Sequence, residues 1–145
     1  MSRLHPDFIR LPLAHRGLHD RASGVIENSL SAVRAAVEAG YGIEIDVQLT
    51  ADDAAMTFHD DALDRLTAQT GALRARPAAD LARTALKDGG GDLIPSLPET
   101  LALVAGRVPI VIEIKRQADG PGPLEAATAA ALAQYRGPAA IMSFD

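Results

Sequence analysis

The segment GIEIDVQL, residues 42–49, alternates apolar and polar side chains without a break. Successive side chains of a strand point to opposite faces, so Ile43, Ile45, Val47 and Leu49 share one face and Glu44, Asp46 and Gln48 the other. A second segment, VPIVIEIK at residues 108–115, reads as the clearest buried strand in the chain. It carries Glu113 and Lys115 two positions apart, again on one face. Both strands are otherwise apolar. An unpaired buried charge costs on the order of several kcal/mol. Three carboxylates and one ammonium on such strands therefore call for a common explanation.

Working outward from residue 42, Gly40 supplies a helix stop. The helix before it is expected from about Ser29 to Ala39, with Leu30, Val33, Ala36 and Val37 on one face and Asn28 as its N-cap. Leu11 to Ala14 reads as a short buried strand that runs into His15-Arg16-Gly17. Beyond Leu49, Thr50 to Ala54 forms an Asp-rich turn, and Ala55 to Phe58 a further strand ending at His59-Asp60-Asp61. That connection is too short for a helical crossover, so it implies either a local hairpin or a later strand start. Residues 62–83 read as short helices broken by Gly71 and Pro77, and residues 87–95 as a flexible loop with three consecutive glycines. Ser96 and Glu99 fit a capping box for a helix reaching about Ala105. Pro123 to Tyr135 reads as an alanine-rich helix and Ala139 to Phe144 as a last strand. Strands alternating with helices indicate an α/β fold with a mostly parallel sheet.

The bulk numbers narrow the class. A chain of 145 residues has room for one core. With 48% hydrophobic and 23% charged residues it is an ordinary globular sequence. A net charge of -5 and 3% aromatic content argue against a nucleic-acid partner. There is no cysteine, so any metal must take oxygen or imidazole ligands. No apolar run approaches the roughly 20 residues that span a bilayer, and the N-terminus lacks the apolar stretch of a signal peptide. A cytoplasmic location without stable membrane insertion is the expectation.

The charged residues suggest chemistry. Carboxylate oxygens suit a hard divalent cation such as Mg²⁺ or Ca²⁺. Lys115 would neutralise a phosphate oxygen, and Arg16 would bind one bidentately. His15 and His59 each follow a short apolar strand and titrate in the range useful for moving protons near neutral pH. At the carboxyl ends of parallel strands these groups would converge, where α/β barrels place their active sites. Each feature also has an ordinary reading. A histidine after a strand is often structural, paired carboxylates often mark a solvated edge, and Glu113 with Lys115 can be a surface ion pair of little consequence. Asp60-Asp61 reads as a solvated turn, His5 as surface, and His19 as surface or site rim.

Taken in order, the motifs resemble the glycerophosphodiester phosphodiesterase family. They are AHRG (14–17), EN (27–28), IEIDVQLTADD (43–53), FHDD (58–61), LDRLT (63–67), TG (70–71), IPSLPETL (94–101), VIEIK (111–115) and SFD (143–145). The resemblance implies a TIM-type (β/α) barrel, here a single partial domain over residues 1–145 that stops after about the fifth strand, against roughly 250 residues for a complete barrel. It implies a divalent cation, Mg²⁺ or Ca²⁺, held by Glu44, Asp46 and Glu113. It further implies His15 and His59 as the acid–base pair, and Arg16 and Lys115 as phosphate-binding residues. The substrate would be a small glycerophosphodiester, and the products glycerol 3-phosphate and an alcohol. Two other readings accompany it: a related barrel phospholipase acting on intact lipid, and a non-catalytic half-barrel that binds phosphate esters or pairs with a partner or a second copy.

Overall fold

The computed structural model describes residues 4–145. Its organising element is strand β2 (Gly42–Leu49), buried along its whole length. Parallel to it on one side runs β1 (Leu13–His15), and on the other β4 (Ile110–Ile114), followed by β5 (Ala139–Met142). The remaining strand, β3 (Ala55–Thr57), is antiparallel to the end of β2. The short Leu49–Ala55 connection is thus a hairpin. Thr50 closes it by accepting from the Ala54 amide at 2.9 Å and donating to Asp52 at 2.6 Å. Of the five strands, four form the parallel sheet and β3 is a local arm.

The alternation in β2 separates two environments. Ile43, Ile45 and Val47 lie in register with Ile110, Ile112 and Ile114 of β4. This apolar face packs against helices α2 (Leu30–Ala39), α4 (Leu97–Val104) and α5 (Pro123–Gln134) in one core cluster. The short α1 (Asp7–Arg10) buries none of its residues. The other face of the sheet receives Glu44, Asp46 and Glu113, all buried. At the two outer strands, Leu13 of β1 and Ile141 of β5 stay exposed.

The caps differ from expectation in one informative place. Gly40 ends α2 in the left-handed conformation and Ser96 with Glu99 forms the expected capping box. The cap of α2, however, is Ser29, whose hydroxyl accepts from the Ala32 amide. Asn28 is free for another task. Ala32, rather than Leu30, completes the fully buried stripe of α2.

Residues 58–96 form a second, smaller core. Phe58, Leu63, Leu66, Leu73, Leu81, Leu86 and Ile94 cluster there with Ile26 and Met56. Little of this segment is helical: a 3-10 turn at Leu73–Ala75 and a four-residue helix α3 (Ala78–Leu81). Side chains hold much of the rest. Asp64 accepts from the Gly71 amide, and Thr67 accepts from the Gln69 amide and donates to the Leu63 carbonyl.

Gly17 is the tightest point in the chain between the sheet and α2. Its φ is +79°, and a Cβ there would meet the Ala32 carbonyl carbon and Cβ at 2.8 Å. A left-handed L-residue costs about 1–2 kcal/mol before any clash. Gly17→Ala is therefore expected to lower unfolding stability by about 2 kcal/mol or more, as read from the urea midpoint. An unchanged midpoint would show that the turn can move away from α2.

Candidate active site

The site begins at the end of β1. Arg16 and Gly17 both adopt positive φ, 59° and 79°, which turns the chain sharply after His15. The turn is tied to β2: the Arg16 amide donates to Glu44 Oε2 at 3.1 Å, and the Gly17 amide to the Glu44 carbonyl at 3.3 Å. His15 and Glu44 are register partners on adjacent strands. The His15 Nε2 consequently lies 3.9 Å from Glu44 Oε2, with the ring largely open to solvent.

Register also assembles the acidic centre. Asp46 pairs with Glu113 across β2 and β4, and Glu44 lies one pleat back on the same face. Each of the three carboxylates offers an oxygen within 4.8 Å of the others. Lys115 Nζ sits 2.6 Å from Glu113 Oε1 and 2.9 Å from Asp46 Oδ1. The Arg16 guanidinium lies 2.9 Å from Glu27 and, through Nε, 3.4 Å from Asp46 Oδ2.

Asn28 fixes the central carboxylate. Its amide donates to Asp46 Oδ2 at 2.8 Å and its side-chain oxygen accepts from the Asp46 backbone N–H at 3.1 Å. Both partners are buried, so the pair has little freedom to rotate. Asn28 reaches this position with a φ of 58°, a conformation asparagine tolerates better than most residues.

The electrostatics are uneven. Glu44 has its pKa raised, mainly by burial and then by the neighbouring Asp46 and Glu113, against the opposing pull of the Arg16 amide and His15. Burial alone would lower the Lys115 pKa, but the hydrogen bond it donates to Glu113 and the negative charges of Asp46 and Glu113 outweigh it and raise it. Glu44 Oε1 is buried with no donor, and Asp46 Oδ1 faces Lys115 without an aligned hydrogen bond. Three close oxygen ligands, two of them under-satisfied, fit a hard divalent cation.

His59 sits on the adjoining wall. Its Nδ1 is 2.7 Å from Asp60 Oδ1, and its carbonyl accepts from Gln48 Nε2 at 2.9 Å. Asp60 is therefore a partner of His59, where a solvated turn residue was expected. Arg65 bonds both Asp60 and Glu27. Hydrogen bonds from Arg65 hold the pKa of both carboxyls down to about 2, against the opposing effect of burial. Six of the residues singled out by sequence (His15, Arg16, Glu44, Asp46, Glu113 and Lys115) are thus in a direct contact network. His59 joins it through the Asp60–Arg65–Glu27 chain, while Gln48 of β2 holds its carbonyl.

Two concavities lie nearby. Beyond Gln48 a cleft of about 780 Å³ opens, lined among others by Asp61, Arg74, Arg116, Gln117 and Asp119. A groove of about 720 Å³ with mostly apolar walls runs between α4 and α5 and shares no residue with the site. His5 pairs with Asp7 at 3.5 Å, away from the site, and His19 is exposed. Among the described residues no helix is long and apolar enough to cross a membrane.

Fold and site together define an α/β protein of barrel type with an acidic, metal-ready centre at the carboxyl ends of its strands. The sequence profile of the glycerophosphoryl diester phosphodiesterase family matches residues 15–137, and the chain belongs to that family. It is 36% identical over 112 residues to a glycerophosphodiester phosphodiesterase of Caldanaerobacter subterraneus, covering 72% of this chain and 45% of that protein. It is 35% identical over 101 residues to human glycerophosphodiester phosphodiesterase 1, covering 62% of this chain and 29% of that protein. The chain spans about half or less of the length of these curated relatives. Among solved structures, a phosphodiesterase of Oleispira antarctica in complex with the product sn-glycerol-3-phosphate superposes with a TM-score of 0.84 at 28% identity, covering 96% of this chain and 60% of that one. A glycerophosphodiester phosphodiesterase of Thermotoga maritima gives 0.74 at 31% identity, covering 93% and 54%. These neighbours are TIM barrels, and the parallel sheet described above corresponds to part of one.

Two measurements check this geometry. Saturating Mg²⁺ or Ca²⁺ should raise the melting temperature, since about 100-fold excess over Kd stabilises by about 2.7 kcal/mol. Glu44→Gln should remove most of that rise, and an equal rise in the variant would place the ion elsewhere. Glu27 has a depressed folded pKa, so its contribution is present above the unfolded value of about 4.3 and disappears as pH falls toward 2. Allowing for screening of the partly exposed Arg65, it is on the order of 1–2 kcal/mol. Wild type should lose more stability than Glu27→Gln between pH 5 and pH 2.5 in urea titrations, and parallel curves would contradict the network.

Proposed function

We propose that the protein carrying this sequence hydrolyses glycerophosphodiesters to glycerol 3-phosphate and an alcohol, with a divalent cation held by Glu44, Asp46 and Glu113. The observation that carries this reading is the convergence of three buried carboxylates with His15, Arg16 and Lys115 at one end of the sheet. Family membership supports the reaction, and the product held by the Oleispira enzyme supports the substrate class. When bound, the cation supplies charge stabilisation on the phosphoryl oxygens and orients the substrate. Mg²⁺ and Ca²⁺ both suit the oxygen donors.

The chain's own groups account for the protons. Breaking the phosphorus–oxygen bond to the alcohol requires a proton on the departing oxygen, and the attacking hydroxyl must lose one. Water gives glycerol 3-phosphate directly, whereas attack by the glycerol hydroxyl gives a cyclic phosphate that a water must then open with the same two proton transfers. His15 and His59 divide these tasks. Asp60, ionised well below neutral pH, can only accept, so the neutral His59 ring carries its proton on Nδ1 and leaves Nε2 turned to the reacting groups. Arg16 and Lys115 hold the phosphate and balance the charge of the carboxylates beside it.

The charged side chains that line the cleft beyond Gln48, Asp61, Arg74, Arg116 and Asp119, suit a deacylated, water-soluble substrate better than an intact lipid. Glycerophosphocholine with Mg²⁺ or Ca²⁺ should release glycerol 3-phosphate. His15→Ala and His59→Ala should each lower kcat by at least about 100-fold. Undiminished activity in either variant, or preferential cleavage of phospholipid vesicles, would overturn the proposal.

A further inference from the structure

We propose that Arg65 is a positioning residue that holds His59 and Arg16 in working orientation together, a role that rests on the phosphodiesterase reading above. Arg65 touches neither the acidic centre nor any group assigned to substrate. Its guanidinium instead makes two forks. Nη1 and Nη2 donate to Glu27 Oε2 and Oε1 at 2.8 and 2.7 Å. Nε and Nη2 donate to Asp60 Oδ2 and Oδ1 at 2.7 and 2.9 Å. Each carboxylate then reaches a proposed active residue through an oxygen it shares with Arg65. Glu27 Oε1 accepts from Arg16 at 2.9 Å, and Asp60 Oδ1 meets His59 Nδ1 at 2.7 Å. The unbroken order is Arg16, Glu27, Arg65, Asp60, His59.

The backbone around the link is anchored. Leu63 and Leu66 on either side of Arg65, and Ile26 beside Glu27, belong to the same buried cluster. That cluster brings the loop after β1 and the segment after β3 together, and Arg65 bridges them at its edge. The Arg65 side chain is itself 43% exposed. Screening at this partly open guanidinium keeps the contribution to folding modest, so the link matters for orientation more than for holding the fold. Its geometry also demands arginine. A planar guanidinium satisfies two carboxylates in one plane, whereas a lysine ammonium is a single point that cannot make both forks. Without the guanidinium, Glu27 and Asp60 would face each other as like charges, and each would turn away from the group it orients.

The test compares Arg65→Lys and Arg65→Met with wild type, using glycerophosphocholine turnover and nitrogen-detected NMR of the His59 ring. Loss of a group that orients an active residue typically costs about 10- to 100-fold. Both variants should lose kcat in that range. Their melting temperatures should fall by no more than about 5 °C. Added guanidinium should restore part of the loss in Arg65→Met. The protonated Nδ1 signal of His59, sharp in wild type, should broaden or vanish in both. Asp60→Asn combined with Arg65→Met should cost little more than either alone, because the two act through one histidine. Kinetics within twofold of wild type together with an unchanged His59 signal would overturn the proposal. If wild type shows no turnover, the functional reading fails, and the NMR comparison still decides whether Arg65 orients His59.

Discussion

Three carboxylates buried on one face of a parallel sheet are the constraint around which this molecule is arranged. Glu44, Asp46 and Glu113 cannot be withdrawn from water without compensation. The structure answers with Lys115 and Arg16, with the Asn28 lock on Asp46, and with the Arg16 amide turned toward the Glu44 carboxylate. Compensation stays incomplete at Glu44, whose second oxygen has no donor. A bound cation, like a proton on Glu44, would balance the group. The opposite face of the same strands has no such conflict, since its isoleucines and valines simply pack on three helices.

The turn-rich segment after β3 contributes differently. Its separate core lets it move no charge into the sheet while still delivering His59 and Arg65 to the edge of the site. The acidic centre therefore belongs to the sheet, and the second histidine belongs to the appended segment. Gln48 and the Glu27–Arg65–Asp60 network join the two.

Much of the sheet and of the acidic centre was legible in the sequence, because a period of two states directly which side chains share a face. Residues 42–49 and 108–115 needed only that rule, and the family motifs carried His15, Arg16 and His59. The connection too short to cross over left a hairpin or a later strand start open, and the fold contains the hairpin. What stayed hidden depended on partners far along the chain. Asn28 looks like a helix cap because the same side-chain oxygen serves either role; only the fold shows that Ser29 takes the cap and Asn28 turns to Asp46, 18 residues away. Arg65 gave no sign of its reach to Glu27, 38 residues back. Asp60 looked like a turn residue for the same reason. Between residues 62 and 83, where short helices broken by Gly71 and Pro77 were expected, side-chain hydrogen bonds to the backbone stabilise turns, leaving only α3 and one 3-10 turn.

The central claim is that the buried carboxylates form a cation site. Anomalous diffraction from crystals grown with Mn²⁺ in place of Mg²⁺ tests it most directly. The account predicts one strong peak in contact with Glu44, Asp46 and Glu113, with Lys115 withdrawn from at least one of the carboxylates it now pairs with. A fully occupied Lys115–Asp46–Glu113 cluster with no peak between the three carboxylates would contradict it.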